Sequence, residues 1–350
     1  MAKTKKKLLP KNFETLLKSN DLDALKAVFE TCDIDARGGY AKQTALAFNE
    51  CPDELTRWLV MQGADLSACD SQGETPLHAR SINWRARLDV LLELGADVNH
   101  GEGKRGTPLH MAAGSYKVGN ARLLLAHGAH VDALDKDNMT PLALALRRCG
   151  NIDIEGMAGL AELLLDAGAR KPLDVAALVS RIGINFEFHR IGFNKDMVDA
   201  VSTALDKLYA LFEVTPVARR AVHDGKSPVV AKSARWEDAH QELWELLVPS
   251  SGSAETVQGE VVRISGKIHS ELARNGGANW DADFKKMGVA FAGHVCSGVP
   301  LPKSALIEAS DIVAGLKRTD DGASGMCKLA VDWVALNPKP AKLPPPDYKR

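Results

Sequence analysis

A four-residue segment, Thr-Pro-Leu-His, occurs twice in this chain of 350 residues at a fixed distance. It occupies Thr75–His78 and returns at Thr107–His110, 32 residues later. A second segment, Gly-Ala followed by a polar residue, begins at Gly95 and returns at Gly128, 33 residues later. Two different segments that recur with nearly the same period indicate a structural unit that is repeated along the chain.

Each of the two segments suits one end of a helix. Threonine is a good N-cap, and proline is tolerated at the first helical position because the N–H there has no intrahelical partner. Glycine after an apolar run favours the left-handed conformation that ends many helices. Apolar residues at helical spacing lie between the segments in both units: Val90, Leu91, Leu94, Ala121, Leu124 and Leu125. The pattern predicts paired helices whose apolar faces bury against neighbouring units.

A weaker copy continues the pattern downstream. Thr140–Ala143 begins a unit whose final glycine, Gly168, comes 28 residues after Thr140, whereas Gly128 comes 21 residues after Thr107. Insertions in such arrays fall in loops. We therefore expect the extra residues within Arg147–Gly156.

Further copies lie upstream. Thr44–Ala47 and Gly63–Asp65 mark another unit, and helices at 12–19 and 22–30 would form an N-terminal capping unit. The array then has about five units over residues 12–170, and roughly three are needed to bury a continuous core.

With these segments and this period, the chain resembles the ankyrin-repeat family over about residues 12–170, most specifically over Thr75–Gly128. The resemblance implies an all-α solenoid that recognises a protein partner, with neither catalysis nor a cofactor. It also implies that His78 and His110 hydrogen-bond neighbouring turns and have a structural role.

The family's partners commonly contact the repeat tips and the exposed positions of the first helices. We expect tips at Arg37–Lys42, Asp70–Glu74, His100–Arg105 and Asp135–Met139. The candidate partner-binding residues are Arg80, Trp84, Lys104, Arg105, Met111, Ser115, Tyr116, Asp137 and Asn138. Trp84 departs from the family pattern, which has glycine at that phase. It is either a local packing substitute or an exposed anchor, since tryptophan is enriched at binding hot spots.

Composition narrows the class of protein. The net charge of −1 offers no general attraction to nucleic acid or to a membrane surface. The six cysteines are scattered without a CxxC motif and are expected to be reduced thiols. The lysine-rich N-terminus lacks the apolar run of a secretory signal, and no apolar run is long enough to span a membrane. We expect a cytoplasmic protein that binds neither nucleic acid nor membrane.

The remaining chain divides into segments by composition. Residues 1–11 are expected to be a basic tail, with a localisation or anion-binding arm as the alternative. Residues 171–213 carry an amphipathic stripe typical of a helical cap on the array. Two prolines and a cluster of basic residues predict a surface linker at 214–235, with anion binding as the alternative. Residues 236–337 form a second helical domain, and 338–350 a proline-rich extended tail, with use as a PxxP-like ligand as the alternative.

The C-terminal helices have clear boundaries in the sequence. We expect helices at 236–247, 280–297, 302–316 and 323–336, and a longer one that ends near Arg274 and is capped by Ser251 or Ser253. Gly259 and Gly266 on that helix would permit a neighbour to approach closely. The stretch 244–260 resembles a domain of uncharacterised bacterial proteins, which implies no function.

The C-terminal helices also hold the one dense set of polar residues: Glu255, Gln258, Glu260, Arg263, Asn279, Asp281 and Asp283. These residues form either a carboxylate site for a metal or for acid–base chemistry, or a structural network. We favour the structural interpretation because no nucleophile accompanies the carboxylates. His127 and His130 lack a third ligand nearby, so no metal site is expected there.

The sequence therefore predicts a protein–protein interaction module and not an enzyme. A narrower hypothesis is an inhibitor or immunity-type protein that neutralises a toxin or enzyme by covering its active site. The alternatives are an adaptor, in which the C-terminal domain binds a second partner, and an enzyme with a carboxylate site in the C-terminal helices. The identity of the partner and the oligomeric state stay open.

Overall fold

The structure, a computed structural model, describes residues 4–83, 87–101, 105–316 and 322–350. It is mainly α-helical and separates into two compact units. The first unit comprises residues 1–185 and 195–217, and the second comprises 186–194 and 218–350. No helix among the described residues combines the length and the apolar character needed to cross a membrane.

The first unit begins with a small sheet and continues as paired helices. Its elements are β1 (Lys6–Leu8), α1 (Phe13–Ser19), α2 (Leu22–Thr31), β2 (Cys32–Gly38), β3 (Gln43–Thr44), α3 (Asp53–Met61), α4 (Pro76–Ser81), α5 (Asp89–Glu93), α6 (Pro108–Gly114), α7 (Val118–Ala126), α8 (Pro141–Arg148), α9 (Ile154–Asp166), α10 (Val175–His189) and α11 (Val198–Phe212). The last residues of α10, from Phe186 onward, belong to the second unit.

The predicted helix ends are confirmed in the repeats. The helices α4, α6 and α8 each begin at the proline that follows an extended threonine N-cap. Two residues after each second helix comes a glycine with positive φ, which is 92° at Gly95, 85° at Gly128 and 90° at Gly168. The leucine that follows each proline is fully buried, so successive units share a continuous core.

The expected insertion is present between α8 and α9. Residues Asn151–Asp153 form a 3₁₀ turn there, and α9 has 13 residues whereas α7 has 9. The extra residues therefore lengthen the loop and the second helix of this unit.

The basic N-terminal segment differs from the predicted tail. Strand β1 pairs in parallel with β2, which pairs in an antiparallel manner with β3. Leu9 is 7% exposed, and Lys5 Nζ donates to the Phe29 carbonyl at 2.8 Å. The prediction weighed the charge of the lysines and overlooked that the leucine behind them can enter the core.

The amphipathic stripe of α11 packs as predicted. Val201, Leu205, Leu208 and Phe212 are buried, and α11 lies against α9, the last helix of the array. A terminal repeat needs such a cover because its outer face has no following unit.

The second unit is built around one long helix. Its helices are α12 (Trp236–Leu247), α13 (Val257–Ala273), α14 (Ala282–Val295), α15 (Lys303–Gly315) and α16 (Ala323–Leu336). Helices α12, α14 and α16 all pack on α13. A Cβ atom at Gly266 would lie 2.3 Å from the Trp244 ring, and one at Gly259 would lie 2.9 Å from the Ala254 Cβ. Both glycines therefore permit close packing, as predicted.

The predicted start of α13 was wrong by a few residues. Thr256 is the N-cap, and its Oγ1 accepts a hydrogen bond from the Gly259 N–H at 3.1 Å. Ser251 and Ser253 lie outside the helix. Serine and threonine are both favoured at the N-cap, so the sequence alone did not show which of these residues begins the helix.

The segment predicted as a linker is part of the second unit from Ala218 onward. Val229 is 1% exposed, and its N–H donates to the Pro338 carbonyl at 2.7 Å. The proline and glycine content is typical of a connector, but an apolar side chain fixes this one in the core.

The proline-rich tail is also packed. The Val257 N–H donates to the Ala341 carbonyl at 2.8 Å, and the Leu343 N–H donates to the Glu255 carbonyl at 3.0 Å. Tyr348 is 6% exposed. The segment is extended as predicted, but it lies along the N-terminal half of α13 because Tyr348 and the backbone groups find partners there.

Candidate functional site

The repeat histidines join consecutive units. His78 Nδ1 accepts from the Thr75 N–H at 3.3 Å, and its Nε2 lies 2.8 Å from the Gly106 carbonyl oxygen of the next unit. His110 repeats the arrangement with Thr107 at 3.1 Å and Met139 at 3.0 Å. The Nε2–H tautomer satisfies both contacts, so each histidine is a neutral structural link, as the resemblance implied.

Burial of these histidines opposes their charged form. Loss of solvent lowers the pKa of His78 to about 4, and it lowers the pKa of His110 as well. The histidines are therefore uncharged at neutral pH and leave the tips free of their charge.

A second set of side chains joins the turns that follow the second helices. Asn99 Oδ1 accepts from the His130 N–H at 2.8 Å, and Asp132 Oδ1 accepts from the Arg170 N–H at 3.0 Å. Asp35 does the same for the Asp65 N–H at 3.0 Å. These contacts fix the rotation of one unit on the next and thereby the spacing of the tips.

Aspartates shape two of the tips. Asp70 Oδ1 accepts from the Gln72 and Glu74 N–H groups at 2.7 and 3.0 Å. Asp135 Oδ1 accepts from the N–H groups of Asp137 and Met139, both at 2.9 Å. Each carboxylate closes a turn on its own backbone, which leaves the residues at the turn's centre facing solvent.

Contacts between neighbouring tips make them a continuous row. The Ser71 N–H donates to the Ala41 carbonyl at 2.9 Å, and Arg105 Nε lies 3.3 Å from Glu74 Oε1. Burial raises the pKa of Glu74, and the charge of Arg105 opposes that rise. We call the exposed residues of this row the tip surface: Tyr40, Lys42, Ser71, Gln72, Arg105, Leu134, Lys136, Asp137 and Asn138.

Three of the predicted partner-binding residues lie on the tip surface. Arg105, Asp137 and Asn138 are exposed, and Asn138 has a φ of 56° at the centre of its turn. Trp84 and Lys104 lie outside the described residues.

The prediction that Arg80 faces a partner was wrong. Its side chain is fully buried, with Nε donating to the Leu46 carbonyl at 2.8 Å and Nη2 to Thr56 Oγ1 at 3.1 Å. Burial lowers the pKa of Arg80. The arginine therefore connects α4 to the preceding repeat, which supplies both of these acceptors.

Three further predicted residues have little surface to offer. Met111 is 5% exposed, so its assignment to the binding surface was also wrong; it faces the core of the array. Ser115 and Tyr116 are half-buried at the end of α6. The Tyr116 hydroxyl donates to the Ala145 carbonyl at 3.1 Å and so holds the next unit.

Two apolar residues on the tip surface were missed as site residues. Tyr40 is fully exposed in the turn of the first tip, and Leu134 is 60% exposed beside Asp135. A large apolar residue within a turn that has no core to enter is the signal that could have identified them.

Buried polar residues of the second unit hold the C-terminal tail. We call Glu260, Arg263 and Tyr348 the clasp. Glu260 and Arg263 pair at 2.6 Å with side chains 0% and 1% exposed, and the Tyr348 hydroxyl donates to Glu260 Oε1 at 2.7 Å. Burial would raise the pKa of Glu260, but hydrogen bonds from Arg263, Ala254 and Tyr348 outweigh it and hold the pKa below its usual value.

Two other polar residues of this set, Gln258 and Asp281, also bind the C-terminal segment. Gln258 Nε2 donates to the Asn337 and Lys339 carbonyls at 2.9 and 2.8 Å, and Asp281 both caps α14 and pairs with Arg350 at 2.6 Å. These groups are engaged in holding the fold, as the structural interpretation predicted. Glu255, by contrast, is exposed.

The described part of the chain offers several possible metal ligands and thiols. No group of three or more His, Cys, Asp and Glu side chains there is arranged to hold a metal ion. None of the six cysteines, all of which are described, forms a disulfide; Cys69 is half-buried and Cys296 is exposed.

Comparisons with known proteins agree with the geometry of the first unit. A family model for ankyrin repeats, in three copies, matches residues 83–174. The chain is 42% identical over 97 residues to the putative E3 ubiquitin-protein ligase XBAT35 of Arabidopsis thaliana. The aligned residues cover 26% of this chain and 21% of that protein.

Other relatives also match part of the chain. The ARF GTPase-activating protein Git of Drosophila melanogaster is 45% identical over 94 residues, 26% of this chain and 12% of its own length. Ankyrin repeat and SOCS box protein 16 of Mus musculus is 36% identical over 120 residues, 32% of this chain and 26% of its own length. The chain thus spans about a quarter or less of these relatives. Together with the helix pairs and the histidine links, the matches establish that residues 83–174 are ankyrin repeats and that this protein carries an ankyrin-repeat solenoid followed by further helices.

Proposed function

We propose that the first unit binds one protein partner through the tip surface. Ankyrin repeats form a protein–protein interaction module, and a family model for them matches residues 83–174. The observation that carries the proposal is the exposure of Tyr40 and Leu134 on turns that the hydrogen-bond network holds in place.

The chemistry of the tip surface indicates the kind of partner. Its two apolar side chains are accompanied by both signs of charge, from Lys42, Lys136 and Asp137. Aromatic and arginine side chains dominate binding energy at interfaces, and exposed charges add mainly specificity and association rate. A folded protein surface of mixed charge with two separate apolar patches suits this arrangement better than a uniformly charged polymer, because Tyr40 lies in the first tip and Leu134 beside the last.

The test is an affinity pull-down from the native host with three forms of the full-length chain. The wild type is compared with a tip variant, Tyr40→Ala with Arg105→Glu, and with a matched control, Met61→Ala. Met61 is 80% exposed at the end of α3 and lies outside the tip surface. A stoichiometric partner that the tip variant loses and the control retains supports the proposal, whereas a partner that both variants retain contradicts it.

The narrower hypothesis is that binding neutralises a toxin or enzyme by covering its active site. The observation that supports it is the run of exposed residues along successive tips, which presents an extended surface to a partner. Once a partner is in hand, its activity is measured with wild-type protein and with the tip variant. Inhibition that tracks binding supports an inhibitor, and tight binding without inhibition contradicts it.

The adaptor is the second candidate function. The second unit has its own hydrophobic core and carries exposed apolar residues, among them Val289 and Ile307 at 67% and 54%. In this hypothesis Val289→Glu with Ile307→Glu removes a second partner and leaves the first one bound. If that variant keeps every partner of the wild type, the adaptor hypothesis is contradicted.

A cytoplasmic location stays a prediction, and fractionation of the host is its test.

A further inference from the structure

A cavity of about 300 Å³ lies within the second unit, formed entirely by residues of that unit. Apolar side chains make up much of its wall, including Ile191, Val222, Leu246 and Pro249. Its polar lining includes His223, and the exposed Glu255 stands among the lining residues. The volume is at the lower end of the range for small-molecule pockets in proteins.

Arg220 fixes the segment that forms one side of the cavity. Its guanidinium lies 4.2 Å from the centre of the Phe188 ring and donates to the Phe188 carbonyl at 3.0 Å. Other guanidinium nitrogens donate to the carbonyls of Trp244 and Glu245, in the last turn of α12. Because its donors are engaged by backbone carbonyls, this arginine does not serve the anion binding considered for the segment 214–235.

His223 presents the unusual feature of the cavity. The backbone N–H of His223 donates to the Leu246 carbonyl at 3.0 Å, and the ring Nδ1 accepts from the Gly225 N–H at 3.0 Å. A ring whose Nδ1 accepts a hydrogen bond is neutral and carries its proton on Nε2.

Among the residues that the structure describes, none supplies an acceptor for that Nε2–H. The His223 side chain is 8% exposed, and its Nε2 atom is buried. The nearby Asp224 carboxylate does not supply one, since it accepts from the Lys226 and Ser227 N–H groups, both at 2.8 Å. A buried donor left without an acceptor is costly, and most such groups in proteins have a partner.

We propose that this cavity binds a small neutral molecule with an apolar body and one carbonyl oxygen, which accepts the hydrogen bond from His223 Nε2–H. The apolar wall receives the body of the molecule, and the carboxylate of Glu255 disfavours anions. This site is separate from the tip surface, which belongs to the first unit. Its failure would leave the proposed partner binding untouched.

The test uses acetophenone as the probe and cumene, which has nearly the same shape without the carbonyl, as its matched control. Full-length protein labelled with ¹⁵N is titrated with each compound while the imidazole signals are followed by NMR. We expect acetophenone to shift the His223 Nε2 signal. Since a hydrogen bond of this kind changes affinity by about 3- to 10-fold, we expect His223→Phe to weaken acetophenone by that factor and to leave cumene unchanged.

Two variants separate ligand binding from folding. His223→Gln keeps an N–H donor near the Nε2 position and should retain more acetophenone affinity than His223→Phe. His127→Phe replaces an exposed histidine of the first unit and should bind both compounds as the wild type does. The proposal is overturned if acetophenone does not perturb His223 up to its solubility limit. It is also overturned if both compounds bind equally in every form, or if a bound water holds the Nε2–H and is not displaced.

Discussion

The two units use buried polar groups in different ways. In the first unit, His78 and His110 make the same contacts to acceptors 28 and 29 residues ahead, so each bond joins neighbouring repeats. In the second unit, Tyr348 reaches back 88 residues to Glu260. A periodic array is stabilised by contacts between nearest neighbours, whereas a clasp of this kind closes only when the whole unit is folded. Damage should therefore stay local in the first unit and spread through the second.

The largest effect is expected at the clasp. Glu260→Ala leaves the buried Arg263 guanidinium without its carboxylate, and removing one member of a buried pair costs about 3–5 kcal/mol. Denaturant unfolding should show that loss, and hydrogen exchange should rise throughout the second unit. Asp332→Ala, which breaks an exposed pair with Lys328 on α16, should cost less than about 1 kcal/mol. Equal losses in the two variants would contradict the account.

The next largest effect depends on pH in the first unit. Below pH 6.5 the unfolded chain binds a proton at His78 that the folded chain binds only near pH 4. Stability that is present above pH 6.5 is therefore lost as the pH falls toward 4, on the order of 3 kcal/mol. Unfolding followed by exchange at α4 and α6 should show a shallower pH dependence in His78→Phe. An unchanged slope in that variant would contradict the assignment.

Breaking one histidine link should cost less. His110→Phe leaves the Thr107 N–H and the Met139 carbonyl without their partner, for about 2 kcal/mol. Faster hydrogen exchange should be confined to the two repeats that this link joins. His127→Phe is the control and should fall within about 0.5 kcal/mol of the wild type. If His110→Phe instead speeds exchange uniformly throughout the first and the second compact units, the difference proposed between these two units is contradicted.

The smallest effect concerns a single hydroxyl. Tyr348→Phe removes the bond to the Glu260 carboxylate while keeping the ring, and it should cost about 1.5 kcal/mol. Tyr40→Phe, whose hydroxyl belongs to a fully exposed side chain, should leave the unfolding midpoint unchanged. If the two variants have the same stability, the clasp contributes nothing through this bond.

The comparison also explains what the sequence could predict. The repeat caps and the turns at Gly95 and Gly128 are local and periodic, so the pattern revealed them, and the resemblance to the ankyrin family implied the linking role of His78. The stripe of α11 and the bounds of α12 and α16 were also predicted because each helix carries its own apolar period.

What the sequence could not give depends on distant partners. Arg80 looks like an exposed residue of a short helix until the Leu46 carbonyl of the preceding unit is placed beside it. The tail looks unstructured until α13 is placed under it. Of the predicted binding residues, those in turns proved exposed where they are described, because a turn's centre has no element above it. Those on the first helices proved buried or half-buried where they are described.

The central claim is that the tip surface is where the first unit meets its partner. Hydrogen exchange of the full-length protein, alone and with the captured partner bound, tests that claim most directly. The account predicts slower exchange in the complex at residues 38–42, 70–74 and 135–139, with little change along α3, α5 and α7. Protection confined to those second helices or to the second unit would contradict it.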